Sequence, residues 1–182
     1  MLTIEDHQLT AVKQVQSPNF NDRPSGAEIE LIVIHSISLP PGEYGGAYIE
    51  ALFTNNLDPL DHPYFETIYK LEVSSHLLID RQGQIVQFVP FNKRAWHAGK
   101  SCYQGRENCN DFSIGIELEG LDTDQYEPVQ YETLAAVLKA LFACYPKLGP
   151  DTLIGHENIS PGRKTDPGPG FNWSYLQTLL SA

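Results

Sequence analysis

The sequence predicts an α/β protein: one domain over residues 1–182, with a mixed central β-sheet flanked by helices. Three observations predict it. Apolar, β-branched-rich runs at 29–35, 73–90 and 113–120 read as strands, and apolar residues at helical spacing follow them. The two kinds of segment alternate without the strict period of a βαβ array, so both parallel and antiparallel pairs are expected. A chain of 182 residues suits one domain and can bury roughly 70% of its unfolded surface without staples.

The elements follow in order. IELIVIH, residues 29–35, holds a continuous apolar run from Leu31 to Ile34, as a strand buried on both faces requires. It ends at His35 and passes into the turn-rich LPPGEYGG. Residues 42–70 read as an excursion from the sheet, with short helices around Tyr48–Phe53 and Tyr64–Tyr69. Pro59 and Pro63 prevent a longer helix there. In 73–90, two apolar runs flank Asp80-Arg81-Gln82-Gly83, the pattern of a hairpin. In SIGIELEG, 113–120, Ile114, Ile116 and Leu118 share one face and leave Glu117 and Glu119 on the other. Pro128 suits a helical first turn, and Leu134, Val137, Leu138 and Leu141 make one stripe that stops before Pro146. A short strand, TLIGH, ends at His156, and a last helix starts after Asn172 as N-cap, burying Trp173, Leu176 and Leu180.

Composition excludes several functions. The net charge of −11 disfavours nucleic acid and anionic membrane as partners, because phosphate contacts need a basic face. No run approaches ~20 apolar residues, so no membrane span is expected. The N-terminal MLTIEDHQLT carries acidic residues where a signal peptide carries basic ones. Cys102, Cys109 and Cys144 are odd in number and form no CxxC pair, which fits a reducing compartment. A cytoplasmic monomer is the expectation.

The chemistry starts from HENISPGRKTDPGPGF, residues 156–171. It sets a histidine, a lysine and an aspartate before a Pro-Gly run that forbids regular structure. Six histidines are available, with no HExxH or paired-cysteine motif, so no local zinc signature selects among them. His35, His156 and Asp166 form one chemically coherent set. A catalytic zinc takes three protein ligands and keeps a position for water, whose pKa it lowers toward ~7. A carboxylate outside the metal must then move the proton. Glu117 and Glu119 both qualify, and spacing does not separate them. Lys164, two residues before Asp166, would face the same side in an extended segment and could stabilise an oxyanion.

Taken together, HSISLPPGEYGG, VPFNKRAWHAGKS, CNDFSIGIELEG, TLIGHENI and GRKTDPGPGF resemble the cytoplasmic N-acetylanhydromuramyl-L-alanine amidases of the AmpD type. The resemblance runs from SPNFNDRP at residue 17 to the final helix. It implies the zinc-amidase fold shared with peptidoglycan recognition proteins. It also implies one zinc ion held by His35, His156 and Asp166, with Glu117 as general base and then acid and Lys164 as oxyanion stabiliser. The implied substrate is a small anhydro-muropeptide, cut between the lactyl group and L-alanine during wall recycling, with an influence on β-lactamase induction.

Four further residues are candidates for holding the substrate. Trp96 and His97 offer a wall for the sugar or lactyl group, Tyr64 offers another from the excursion, and Ser36 adjoins His35. The segment 42–70 is a candidate lid. The family carries Asn at Ser36 and Arg at Glu72 and Asn108, so two positive charges near the stem peptide are absent here. The competing functions are an amidase acting on polymeric peptidoglycan and a non-catalytic muropeptide-binding module. A structural zinc would need a fourth closed ligand, often cysteine, and no cysteine lies in the stretches around the three ligands.

Overall fold

The computed structural model describes residues 2–181. Six strands form the central sheet: β1 (Lys13–Gln14), β2 (Leu31–Ile37), β3 (Leu77–Ile79), β4 (Ile85–Gln87), β5 (Ser113–Glu119) and β6 (Leu153–Gly155). Their spatial order is β6-β2-β5-β3-β4-β1. Every neighbouring pair is parallel except β3 with β4, the expected hairpin. The Asp80 carboxylate fixes its turn by accepting the backbone N–H groups of Gln82 and Gln84. The sheet is therefore mixed, as the broken alternation predicted.

Four α-helices complete the frame: α1 (Tyr48–Phe53), α2 (Pro128–Cys144), α3 (His156–Ile159) and α4 (Trp173–Ser181). Helix α2 begins at Pro128 with a capping box between Glu127 and Gln130. Its stripe of Leu134, Val137, Leu138 and Leu141 packs on Ile32, Ile34, Ile114 and Ile116, with Leu176 of α4 in the same cluster. Each of these fully buried side chains contributes about 1.5–3 kcal/mol by leaving water. The Asn172 side chain accepts the N–H of Tyr175, confirming the N-cap. Leu176 is buried, whereas Trp173 and Leu180 are only partly so.

β2 is buried on both faces, as its continuous apolar run requires. Ile32 and Ile34 face the helices, while Leu31 and Val33 meet Cys109, Phe112 and Ile159 on the other side. The strand continues past His35 to Ile37. On β5 the isoleucines and Leu118 do take one face, but the face carrying Glu117 and Glu119 is also covered, and all seven residues are buried. The excursion holds α1 and a 3₁₀ turn at Pro63–Thr67. It buries Ile49, Leu52, Phe53 and Phe65 against Leu78, Val86 and Phe88. Three strand pairs escaped the sequence pattern, at Ile4–Glu5 with Gln8–Leu9, Phe20–Asp22 with Lys93–Ala95, and Cys102–Tyr103 with Arg106–Glu107. Strands of two or three residues are too short to show a period. Among the described residues no helix is long and apolar enough to cross a membrane.

Candidate metal centre and catalytic site

The site lies at the C-terminal ends of three parallel strands, where α/β sheets gather their ligands. The register pairs Glu117 of β5 with His35 of β2, which places both side chains on one face. β6 ends at Gly155, next to Ile34 of β2, so His156 opens α3 beside His35. The sequence placed His156 at a strand end. It instead starts a one-turn helix, with the Asn158 side chain accepting the Gly155 N–H. The loop that follows returns Asp166 to the same point, tied down by a hydrogen bond from the Glu157 N–H to the Asp166 carbonyl.

Three ligand atoms converge. His35 Nδ1 lies 2.9 Å from His156 Nδ1 and 3.2 Å from Asp166 Oδ2, and His156 Nδ1 lies 3.0 Å from the same oxygen. Each of the three residues is more than half buried. His156 Nε2 sits 3.1 Å from the Ala98 carbonyl, which can only accept, so the proton is on Nε2 and Nδ1 offers a lone pair. The Ala98 carbonyl is itself held in place, because the Asn110 side chain accepts the N–H groups of His97 and Ala98. Burial pushes His35 down to about 4, so its imidazole is neutral at pH 7. Burial pushes the Asp166 carboxyl up, but the two histidines outweigh it and hold it below the usual carboxylate range. Two imidazoles and one carboxylate, aimed at one point, make a donor set of the kind a catalytic zinc takes.

Glu117 and Glu119 now separate. The Glu119 carboxylate is occupied, accepting the backbone N–H of Gly45 at 2.6 Å and of Arg81 at 3.2 Å. It anchors the start of the excursion. Glu117 Oε2 is buried and has no hydrogen-bond partner. Burial raises the Glu117 carboxyl well above its ordinary value, Asp166 adds to this, and Lys164 partly offsets it. A carboxyl with that bias holds a proton readily, as a general base must once it has taken one. The same bias costs stability. With its folded pKa raised, Glu117 favours the fold most below its unfolded pKa, and that contribution is lost as pH rises through the folded value. Metal-free Glu117→Gln is therefore expected to melt higher than the parent. The gap should open as pH rises above about 4.3 and amount to about 2–4 °C per kcal/mol recovered. Thermal melts across pH check this, and a gap that closes with rising pH would refute it.

These groups line a cavity of about 530 Å³, the size of a small-molecule site. Ser36, Tyr64, Trp96, His97 and Lys164 all line it too, whereas Glu119, Glu72 and Asn108 do not. Lys164 is exposed at the edge, two residues from Asp166. The Trp96 indole N–H donates to Asn21, which fixes its ring, and Tyr64 is 40% exposed, so its ring is open to a ligand. His97 has a second engagement: its Nδ1 lies 2.9 Å from His35 Nε2. Ile68 of the excursion and Leu71 just after it give the cavity an apolar side. Glu72 follows Leu71 on the exposed surface, and Asn108, at φ 59°, occupies a left-handed conformation that asparagine tolerates. A groove of about 920 Å³ between Tyr131, Phe171 and Trp173 is larger, but no histidine, cysteine, carboxylate or cationic side chain lines it. Sequence reasoning missed Arg163, whose guanidinium donates to the carbonyls of Ala98 and Lys100 and braces the His156 loop. No local spacing announces a contact made 65 residues away.

Residues 25–169 match the family described as N-acetylmuramoyl-L-alanine amidase. The chain is 54% identical over 180 residues to the 1,6-anhydro-N-acetylmuramyl-L-alanine amidase AmpD of Escherichia coli K12, covering 99% of this chain and 98% of that one. A crystal structure of a selenomethionine AmpD derivative superposes with a TM-score of 0.95 at 55% identity, over 97% of this chain and 98% of that one. AmpDh3 from Pseudomonas aeruginosa, in complex with an anhydromuramic pentapeptide, gives a TM-score of 0.65 at 30% identity, over 86% and 61% of the two chains.

Proposed function

Because the chain belongs to the N-acetylmuramoyl-L-alanine amidase family, and within it to the 1,6-anhydro type, we propose a zinc-dependent hydrolysis of anhydro-muropeptides. The bond cut is the amide between the lactyl group of 1,6-anhydro-N-acetylmuramic acid and L-alanine of the stem peptide. The observation that carries the metal is the convergence of His35, His156 and Asp166 on one point. Bound there, one zinc ion supplies Lewis acidity to the reacting water and carbonyl.

The chain's own residues do the rest. Glu117 takes the proton of the attacking water and delivers it to the departing alanine nitrogen, a role worth about 10²–10⁴ in rate. Lys164, at the cavity edge, places its ammonium against the oxyanion that develops on the lactyl carbonyl oxygen. Trp96 and Tyr64 offer aromatic faces to the apolar sides of the sugar. Ser36 and His97 line the same cavity and serve as substrate contacts. The excursion 42–70 closes one side of the cavity and acts as its lid. The protein works as a cytoplasmic monomer in recycling of wall fragments, and its loss raises the β-lactamase response that those fragments induce.

Mass spectrometry tests the reading. Anhydro-N-acetylmuramyl tripeptide is incubated with zinc-loaded and with chelator-stripped protein. Free tripeptide is expected only with zinc. Release without metal would remove zinc from the mechanism. Faster release from polymeric peptidoglycan than from the soluble fragment would redirect the substrate.

A further inference from the structure

We propose that His97 is a positioning residue for the metal: with Ser113 it forms a proton relay that fixes the tautomer of His35 and turns His35 Nδ1 into a ligand. The inference rests on the zinc reading above.

The argument runs by counting protons from the far end. The Ser113 hydroxyl lies 2.6 Å from the Cys109 carbonyl, which can only accept, so the serine proton points there. Ser113 Oγ is then an acceptor for its other neighbour, His97 Nε2, at 3.1 Å. The proton of neutral His97 therefore sits on Nε2, and its Nδ1 bears a lone pair. That lone pair faces His35 Nε2 at 2.9 Å, so His35 carries its proton on Nε2. What remains at His35 Nδ1 is a lone pair, aimed at His156 Nδ1 and Asp166. Three acceptors then meet with no proton between them, an arrangement that only a cation relieves.

His97 is built into this place. Its ring stands edge-on to His35, with centroids 5.0 Å apart, and to His76, with centroids 5.8 Å apart. Ser113, Gly115 and Glu117 share one face of β5 at period two. Gly115 is glycine because a Cβ there would lie 2.4 Å from His97 Cγ. One strand face thus supplies the relay's acceptor, the clearance for its ring, and the proton-moving carboxyl.

Partners that orient a metal-bound imidazole typically change metal affinity by 10–100-fold. The test is zinc affinity by chelator competition, alongside melting of the metal-free proteins. His97→Phe keeps a ring and removes the acceptor, and is expected to bind zinc about 10–100-fold more weakly. His97→Asn can present an oxygen where Nδ1 was, and is expected to recover most of the affinity. Equal affinities in His97→Phe and the parent, or no recovery in His97→Asn, would overturn the relay. A direct reading needs no variant: ¹⁵N-histidine NMR of the zinc-loaded parent should show His97 protonated on Nε2 alone. Protonation on Nδ1 would refute it. A parent that takes up no zinc would instead overturn the metal site, and the relay with it.

Discussion

Asp166→Ala is expected to lose bound zinc and turnover together, whereas Glu117→Ala keeps zinc and loses turnover alone. The two carboxyl groups share one cavity, and burial and contacts bias them in opposite directions. Asp166 Oδ2 lies 3.0–3.2 Å from both imidazole nitrogens and its carboxyl is held below the usual range, so it is an anion at any working pH. Removing it leaves two imidazole nitrogens and no carboxylate charge to balance a divalent cation, short of the three protein ligands a catalytic zinc takes. Glu117 has a buried oxygen with no partner and a carboxyl biased towards holding a proton. Its removal leaves the ligand set intact and is expected to lower kcat by about 10²–10⁴. Metal content by mass spectrometry and single-turnover rates read the two effects separately. Full zinc retention in Asp166→Ala would strike that residue from the ligand set. Zinc loss in Glu117→Ala would make the glutamate a ligand and leave the reaction without its base.

The contrast between those residues marks where the sequence was legible. β2, β5 and α2 could be read because their apolar residues recur at the period their elements require, and burial on the expected faces followed. Glu117 and Glu119 could not be told apart by pattern, since period two puts both on one face. The difference is made by segments far along the chain: the N–H groups of Gly45 and Arg81 occupy Glu119 and nothing occupies Glu117 Oε2. The resemblance to the amidases implies Glu117 as the base, and the hydrogen bonds leave Glu117, not Glu119, with an unengaged oxygen. His97 was read as a wall for the substrate. It does line the cavity, but its engagement with His35 and Ser113 depends on separations of 62 and 16 residues that no local motif encodes. His156 was placed at the end of a strand because TLIGH reads apolar up to the histidine. The Asn158 side chain caps the next turn and starts a helix there instead.

Gly170→Ala is expected to displace the Asp166 loop and weaken zinc binding from outside the site. The Pro-Gly run lies backbone against backbone on residues 121–124. The Gly170 N–H donates to the Asp122 carbonyl, and a Cβ at Gly170 would lie 1.7 Å from the Asp124 carbonyl oxygen. At Gly168, with φ +77°, an added Cβ would lie 2.3 Å from the Asp122 oxygen. Neither obstacle is the flexible end of a side chain, so a methyl group can be seated only by moving one of the two loops. Such overpacking costs about 1–3 kcal/mol or more, which is about 2–4 °C of melting temperature per kcal/mol at this size. Asp166 is four residues from Gly170, and its oxygen must meet two imidazoles to a few tenths of an ångström. The displacement should therefore reach the metal. Gly149→Ala is the matched control, because its backbone is extended and nothing lies within 4 Å of its added Cβ. The parent and Gly149→Ala should gain similar melting temperature on adding zinc, since a ligand stabilises the fold by RT ln(1 + [L]/Kd). Gly170→Ala should gain less at every zinc concentration. If its zinc-induced gain equals the control's, the close packing of the Pro-Gly run has no part in placing Asp166.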